Sequence, residues 1–407
     1  MRDRTGSRFG REALVTIAAG AGIVFLSMGI RQSFGLFLAP VSDELGSGRS
    51  TFSLAMAIQN IMLGLPLAGI LADRLGSRRV AGLGGLLYAA AMLVAAQWVS
   101  TTGLFAGLGL SAGLALSATS YVVVLGAVGR AVPPHRRASA FGLITAFGSL
   151  GMFAMIPVSQ GLISGFGWRG AFIGLAVITA LITVFALLLP GSARAQAPEP
   201  EVEEPFLQIL ERARRNRSYL LLIAGFFVCG FHVAFISTHL PAYLSDGGIS
   251  TGAVTAALAL IGLMNIVGSS TFGVLGDRYR KRTLLSILYF SRAVLFVFFL
   301  LLPLTNVTAV AFGAIMGFLW LGTVPLTSGT VATLFGVRYL ATLYGVVFLS
   351  HQLGAVLGVW LGGTVYDSTG GYTSVWIVAI ALGVISALIH LPIDDRQPAL
   401  LSRPKES

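Results

Sequence analysis

The chain is short of charge. Only 11% of its 407 residues are Asp, Glu, Lys or Arg, against 55% apolar residues, whereas a water-soluble domain carries about 25% charged residues. So little charge cannot cover a core of this size, which excludes a soluble globular protein. Cysteine is nearly absent, and the single Cys229 excludes a disulfide framework and a thiolate metal cluster. The five histidines form no metal-ligand pair at helical spacing. No Gly-x-x-x-x-Gly-Lys-Ser/Thr loop occurs, so ATP does not drive the protein directly. No nucleophile–base–acid set can be assembled either, so the expectation is a protein that is not an enzyme and uses no cofactor.

What is present is apolar sequence in long runs. A helix needs about 20 such residues to cross a bilayer. Twelve stretches qualify: 13–40, 51–72, 80–99, 103–129, 138–164, 170–190, 219–244, 252–276, 284–303, 308–335, 340–366 and 374–392. Arg2, Arg4, Arg8 and Arg11 precede the first run, which is too long for a secretory signal and is followed by no small-residue cleavage site. With the N-terminus placed in the cytoplasm, twenty-three of the 27 Lys and Arg fall on the inner side and only Arg49 and Arg169 on the outer. That asymmetry predicts both termini inside. It also accounts for the net charge of +11 as a topological signal, with no nucleic acid as partner.

The chain also repeats. Gly69-x-x-x-Asp73-Arg74-x-Gly76-x-Arg78-Arg79 after span two returns as Gly273-x-x-x-Asp277-Arg278-x-Arg280-Lys281-Arg282 after span eight, at an offset of 204 residues. Asp43 at the end of span one is mirrored by Asp246 at the end of span seven. The predicted organisation is a six-span half over 1–190, a cytoplasmic linker over 191–217 that carries a Pro-Glu run and an Arg cluster, and a second six-span half over 218–407. Two halves of this kind are related by an axis along the membrane normal, which places the expected substrate site between them near the midplane.

These residues resemble the major facilitator superfamily, and the likeness covers nearly the whole chain. The Asp-Arg-x-Gly-x-Arg-Arg loop is its most specific mark, and the resemblance implies a conformational role for Gly69, Asp73, Arg74, Gly76 and Arg78 and for Gly273, Asp277, Arg278 and Arg282. The second copy departs from the pattern, with Arg280 where the glycine usually stands. A narrower likeness, to monocarboxylate transporters and the oxalate–formate antiporter, is carried by four runs in order. These are Arg130 to Gly142, Gly165-Phe-Gly-Trp-Arg-Gly-Ala-Phe172, Ser350-His351-Gln352-Leu353-Gly354 and Asp367-x-Thr-Gly-x-Tyr372. The resemblance implies an all-α membrane protein of twelve transmembrane helices in two pseudo-symmetric halves.

Each of the sixteen acidic residues lies in a tail, a loop or at a span end. A cationic cargo would therefore find no counter-charge at membrane depth, where proton and cation carriers usually hold a carboxylate. The spans are instead positive. Arg31 lies some 18 residues into span one, where an arginine costs about 2.5–3.5 kcal/mol or more unless it faces a cavity. With no buried acid, its cheapest partner is a bound anion, and the planar fork of a guanidinium suits a carboxylate. Ser27, Phe34 and Gly35 share its helix face. By resemblance, Arg31 matches the basic residue that monocarboxylate transporters carry in the first span, and His351 the place where the oxalate–formate antiporter carries a lysine.

A histidine at mid-depth can carry a coupled proton or pair with the anion. Gln59, Tyr121, His232, Asn265 and Gln352 are the further candidate substrate contacts. Arg292, near the cytoplasmic end of span nine, reads as a side chain snorkelling to the interface. In the carboxylate-carrying relatives span eight typically holds an arginine, with an acid one turn earlier in some; here those places are Ser269 and Asn265, which fits a cargo with one anionic group. The expected function is secondary active transport of a small organic anion, a monocarboxylate first, by proton symport or anion exchange with alternating access. The alternative is a carrier of a neutral or amphipathic compound such as a drug or vitamin. The expected setting is a monomer in the lipid bilayer of a bacterial inner membrane.

Overall fold

The computed structural model describes residues 10–65, 67–133, 136–191, 206–336 and 340–395. Among them ten helices are long and apolar enough to cross a membrane. One of the ten, Ser139–Leu187, has 49 residues, about 70 Å of helix against a hydrocarbon core of about 30 Å. It holds two crossings, because Gly167 at φ 67°, ψ 173° lies outside helical geometry and turns the chain between spans five and six. Only glycine adopts that conformation without strain, which accounts for the glycine in the Gly165–Gly170 run. The other missing crossing is span two, seen as Arg49–Gly64 and Leu67–Leu75 on either side of residue 66, which lies outside the described residues. The spans are thus the twelve read from the sequence.

The chain divides into two compact units, Met1–Ala197 and Pro198–Ser407. Of the stretch expected as a linker, 192–205 lies outside the described residues, while Phe206–Arg215 forms a helix. In that helix Arg214 and Arg215 both bond the Glu211 carboxylate.

Each unit is tied together by hydrogen bonds that repeat at the sequence offset. Arg78 Nε donates to the Leu189 carbonyl at 2.7 Å, and Arg282 Nη1 to the Ile393 carbonyl at 3.0 Å; both ends of the second bond lie 204 residues beyond those of the first. Thr183 Oγ1 donates to the Gly82 carbonyl at 3.0 Å, and the equivalent pair, Ser286 Oγ to the Ala387 carbonyl at 2.7 Å, swaps which helix supplies the hydroxyl. The loop motif therefore fastens the start of span three to the end of span six, and the start of span nine to the end of span twelve.

The departure at Arg280 has a backbone reason. Gly76 sits at φ 89°, where an L side chain is strained, whereas Arg280 sits at φ −63°, ψ 120°, open to any residue. Asp395 takes up the slack in the second half by accepting from the Arg282 backbone N–H at 3.1 Å and pairing with Arg280 at 3.2 Å.

Spans four and ten both break. The first gives way between Ala112–Ala118 and Tyr121–Ala131, the second between Asn306–Phe318 and Thr323–Phe335. A break exposes carbonyls above it and N–H groups below it to a medium without water, so side chains must meet them. Those side chains include Ser27 in the first half and Asn265 and Arg292 in the second.

Candidate functional site

In the first half the polar cluster centres on Arg31. Its Nη2 donates to Asn60 Oδ1 at 2.8 Å. Asn60 Nδ2 bonds the Met56 carbonyl one turn earlier in span two, also at 2.8 Å, which holds the amide with its oxygen toward the arginine. Tyr88 of span three and Tyr121 of span four are the guanidinium's electrostatic neighbours. Ion pairs among the described residues lie elsewhere, at Glu44, Glu211 and Asp395, so Arg31 keeps its charge beside neutral groups. One hydrogen bond to an amide offsets about 1.5–3 kcal/mol, no more than the least cost of the buried charge.

One donor beside this cluster is unspent: the buried Tyr88 hydroxyl has no hydrogen-bond partner among the described residues. Phe34 packs edge-on to Tyr88, ring centroids 6.4 Å apart, as its place on the Arg31 face suggests. Ser27, expected on the same pocket face, is instead used by the break in span four, where its Oγ donates to the Thr119 carbonyl at 3.2 Å.

The second half places its guanidinium differently. Arg292 is fully buried, and its Nε and Nη2 reach the Leu319 carbonyl at 3.1 and 2.6 Å while Nη2 also bonds Trp320. The expected snorkelling is thus corrected: the carbonyls freed at the break of span ten supply acceptors at depth, and the negative end of the upper helix favours a cation there. Nη1 lies 3.7 Å from Cys229 Sγ, which is 3.2 Å from Thr323 Oγ1. Asn265 Oδ1 accepts from the Leu321 N–H at 3.0 Å and so serves the other end of the same break.

His351 lies against Phe348, ring planes 8° apart, and its Nδ1 is 3.0 Å from Gln352 Oε1. The remaining candidates are bound to backbone. Gln59 Nε2 donates to the Leu108 carbonyl at 2.9 Å, within the π-helical turn Phe105–Ser111 whose wider pitch leaves carbonyls to be met. His232 Nε2 is 2.8 Å from the Ala379 carbonyl of span twelve. Of the loop residues, Arg74, Asp277 and Arg278 are exposed, Gly69 and Gly273 are half-buried and Gly76 is buried; the Asp73 side chain lies outside the described residues.

The structure therefore brings Arg31 and Tyr121 together in one half and His351 and Gln352 in the other, while Gln59, His232 and Asn265 spend a polar atom on backbone groups. Sequence reasoning passed over Tyr88 and Cys229 and misplaced Arg292. One signal was available: the 204-residue offset sets Tyr88 on Arg292, so both halves carry a polar side chain at one repeat position inside an apolar span.

The sequence profile of the Major Facilitator Superfamily matches residues 20–358. The chain belongs to the Major Facilitator Superfamily. It is a membrane-spanning secondary transporter, not an enzyme. Among its relatives, the uncharacterized MFS-type transporter YcxA of Bacillus subtilis is 27% identical over 91% of this chain and 92% of its own length. Monocarboxylate transporter 13 of Bos taurus is 28% identical over 90% of this chain and 86% of its own. Among solved structures, a bacterial homologue of the human lysosomal transporter Spinster superposes with a TM-score of 0.75 at 15% identity, covering 97% of this chain and all of that one. The nucleoside transporter NupG does so with a TM-score of 0.74 at 17% identity, covering 93% of this chain and 99% of that one. At such identities the two structures show the shared fold alone.

Proposed function

We propose that this Major Facilitator Superfamily member carries a small organic anion, a monocarboxylate first, by proton symport or anion exchange with alternating access. The observation that carries this reading is the Arg31 guanidinium, set in a span beside neutral Asn60, Tyr88 and Tyr121 with no carboxylate pairing it among the described residues. A carboxylate cargo would complete the charge and find a hydroxyl donor in Tyr88, unpartnered among the described residues. The monocarboxylate-transporter names of several relatives point the same way. The setting we propose is a monomer in a bacterial inner membrane with both termini in the cytoplasm.

The test is uptake into liposomes holding the purified protein, with radiolabelled lactate, pyruvate, formate, oxalate and an aromatic acid. Arg31→Ala is expected to lower anion transport by about 10- to 100-fold, the worth of one charge-assisted pair; transport equal to wild type overturns the reading. A second reading, a neutral or amphipathic cargo, draws on the bond that Arg31 already makes to Asn60. Inhibition by hydrophobic compounds and none by lactate or pyruvate would favour it.

A further inference from the structure

Tyr121 opens the second helix of the broken span four, Tyr121–Ala131. The break fixes it against span one, because Ser27 donates at 3.2 Å to the carbonyl of Thr119, just ahead of it. Val24, Ser27 and Arg31 follow one another on one face of span one. Arg31 and Tyr121 are half-buried and keep accessible surface, whereas Asn60 and Tyr88 are buried. The guanidinium and the Tyr121 phenol are electrostatic neighbours. Arg31 spends a donor on Asn60, and the rest of its fork is open to another partner.

The place of the Tyr121 hydroxyl depends on a third helix. Gly148, buried in span five, faces it. A Cβ at 148 would overlap the hydroxyl oxygen outright, and would stand 3.0 Å from Cζ and 2.9 Å from Val24 Cγ1. The phenol tip thus fills the space that a side chain at 148 would need. Gly151, one turn on, differs: a Cβ there would meet the Phe25 backbone, which is a contact between helices. The Tyr121 oxygen faces a bare glycine beside a valine methyl group, and no described residue hydrogen-bonds it. Packing alone would be served by phenylalanine. A hydroxyl without a protein acceptor costs free energy unless water or a ligand meets it.

We propose that Gly148 is a positioning residue of the cargo site: by carrying no side chain it seats Tyr121 so that the phenol donates to the carboxylate held by Arg31. The inference rests on the anion reading above. A carboxylate accepts at both oxygens, so a guanidinium and a phenol can bind it at once. The guanidinium sets the charge of the cargo. The phenol, fixed by Gly148 and by the Ser27–Thr119 bond, sets where the carboxylate lies. A larger residue at 148 displaces the hydroxyl and weakens binding while the charge of the site stays intact. Every residue of this seat belongs to the first compact unit.

The test is a double-mutant cycle read by uptake at several lactate concentrations and by thermal unfolding in detergent. Tyr121→Phe is expected to raise the lactate concentration for half-maximal uptake about tenfold, the worth of one hydrogen bond to a charged group, with the maximal rate kept. Gly148→Ala is expected to do the same and to unfold at a lower temperature than wild type. In the Tyr121→Phe background the overlapping oxygen is gone, and the contacts left at 3.0 and 2.9 Å need only a small shift. There Gly148→Ala is expected to cost no further affinity and to regain most of the lost stability. Unaltered affinity in either single variant, or equal losses from Gly148→Ala in both backgrounds, overturns the proposal while lactate uptake by wild type upholds the anion reading. A wild type that carries none of the carboxylates tested above defeats that reading, and this inference with it.

Discussion

A neutral partner and a charged one do different things to a buried guanidinium. Asn60 orients Arg31 through one 2.8 Å bond and leaves its charge in place. A carboxylate there would cancel that charge. Asn60→Asp is therefore expected to fold as well as wild type, since it adds an internal ion pair, yet to weaken anion transport by about tenfold or more. Uptake at several lactate concentrations checks it, with the loss expected in apparent affinity. Unaltered affinity would mean that the charge of Arg31 is not what meets the cargo.

At the scale of elements, the broken spans explain where the polar residues went. Helix ends at membrane depth leave N–H and C=O groups that cost about 1–3 kcal/mol each if unmet. Ser27, Asn265 and Arg292 meet them at spans four and ten. Asn265→Ala is accordingly expected to lower stability by about 1–3 kcal/mol, the cost of an unmet Leu321 N–H, with the affinity for the transported acid unchanged. Thermal unfolding in detergent and a concentration series of uptake separate the two effects. A loss of affinity without loss of stability would return Asn265 to the substrate site.

For the whole molecule, the charge asymmetry makes a topological prediction. In a Cys229→Ser background, single cysteines at the exposed positions Ser139 and Thr283 are expected to react with an impermeant thiol reagent only from the cytoplasmic side, and at Gly48 and Ser245 only from outside. Labelling of intact cells and of inverted vesicles checks this. Reaction of Ser245→Cys from the cytoplasm would reverse the orientation read from the arginines.

Composition, span number, the repeated loop and the absence of a mid-span carboxylate were all legible from the residues. They depend on local quantities, namely how apolar a 20-residue window is and which side of it carries arginine. The partner of a given polar side chain was not legible, because it depends on which backbone groups neighbouring helices leave bare. Gln59, His232 and Asn265 looked like substrate contacts because polar groups in lipid need partners, and nothing in a one-dimensional pattern reveals a carbonyl freed by a π-turn or a helix break. Arg292 looked peripheral for the same reason. Packing, by setting Leu319 and Trp320 beside it and Cys229 under it, turned an apparent surface cation into a buried one, whereas Arg31 was already marked as exceptional by its depth in span one.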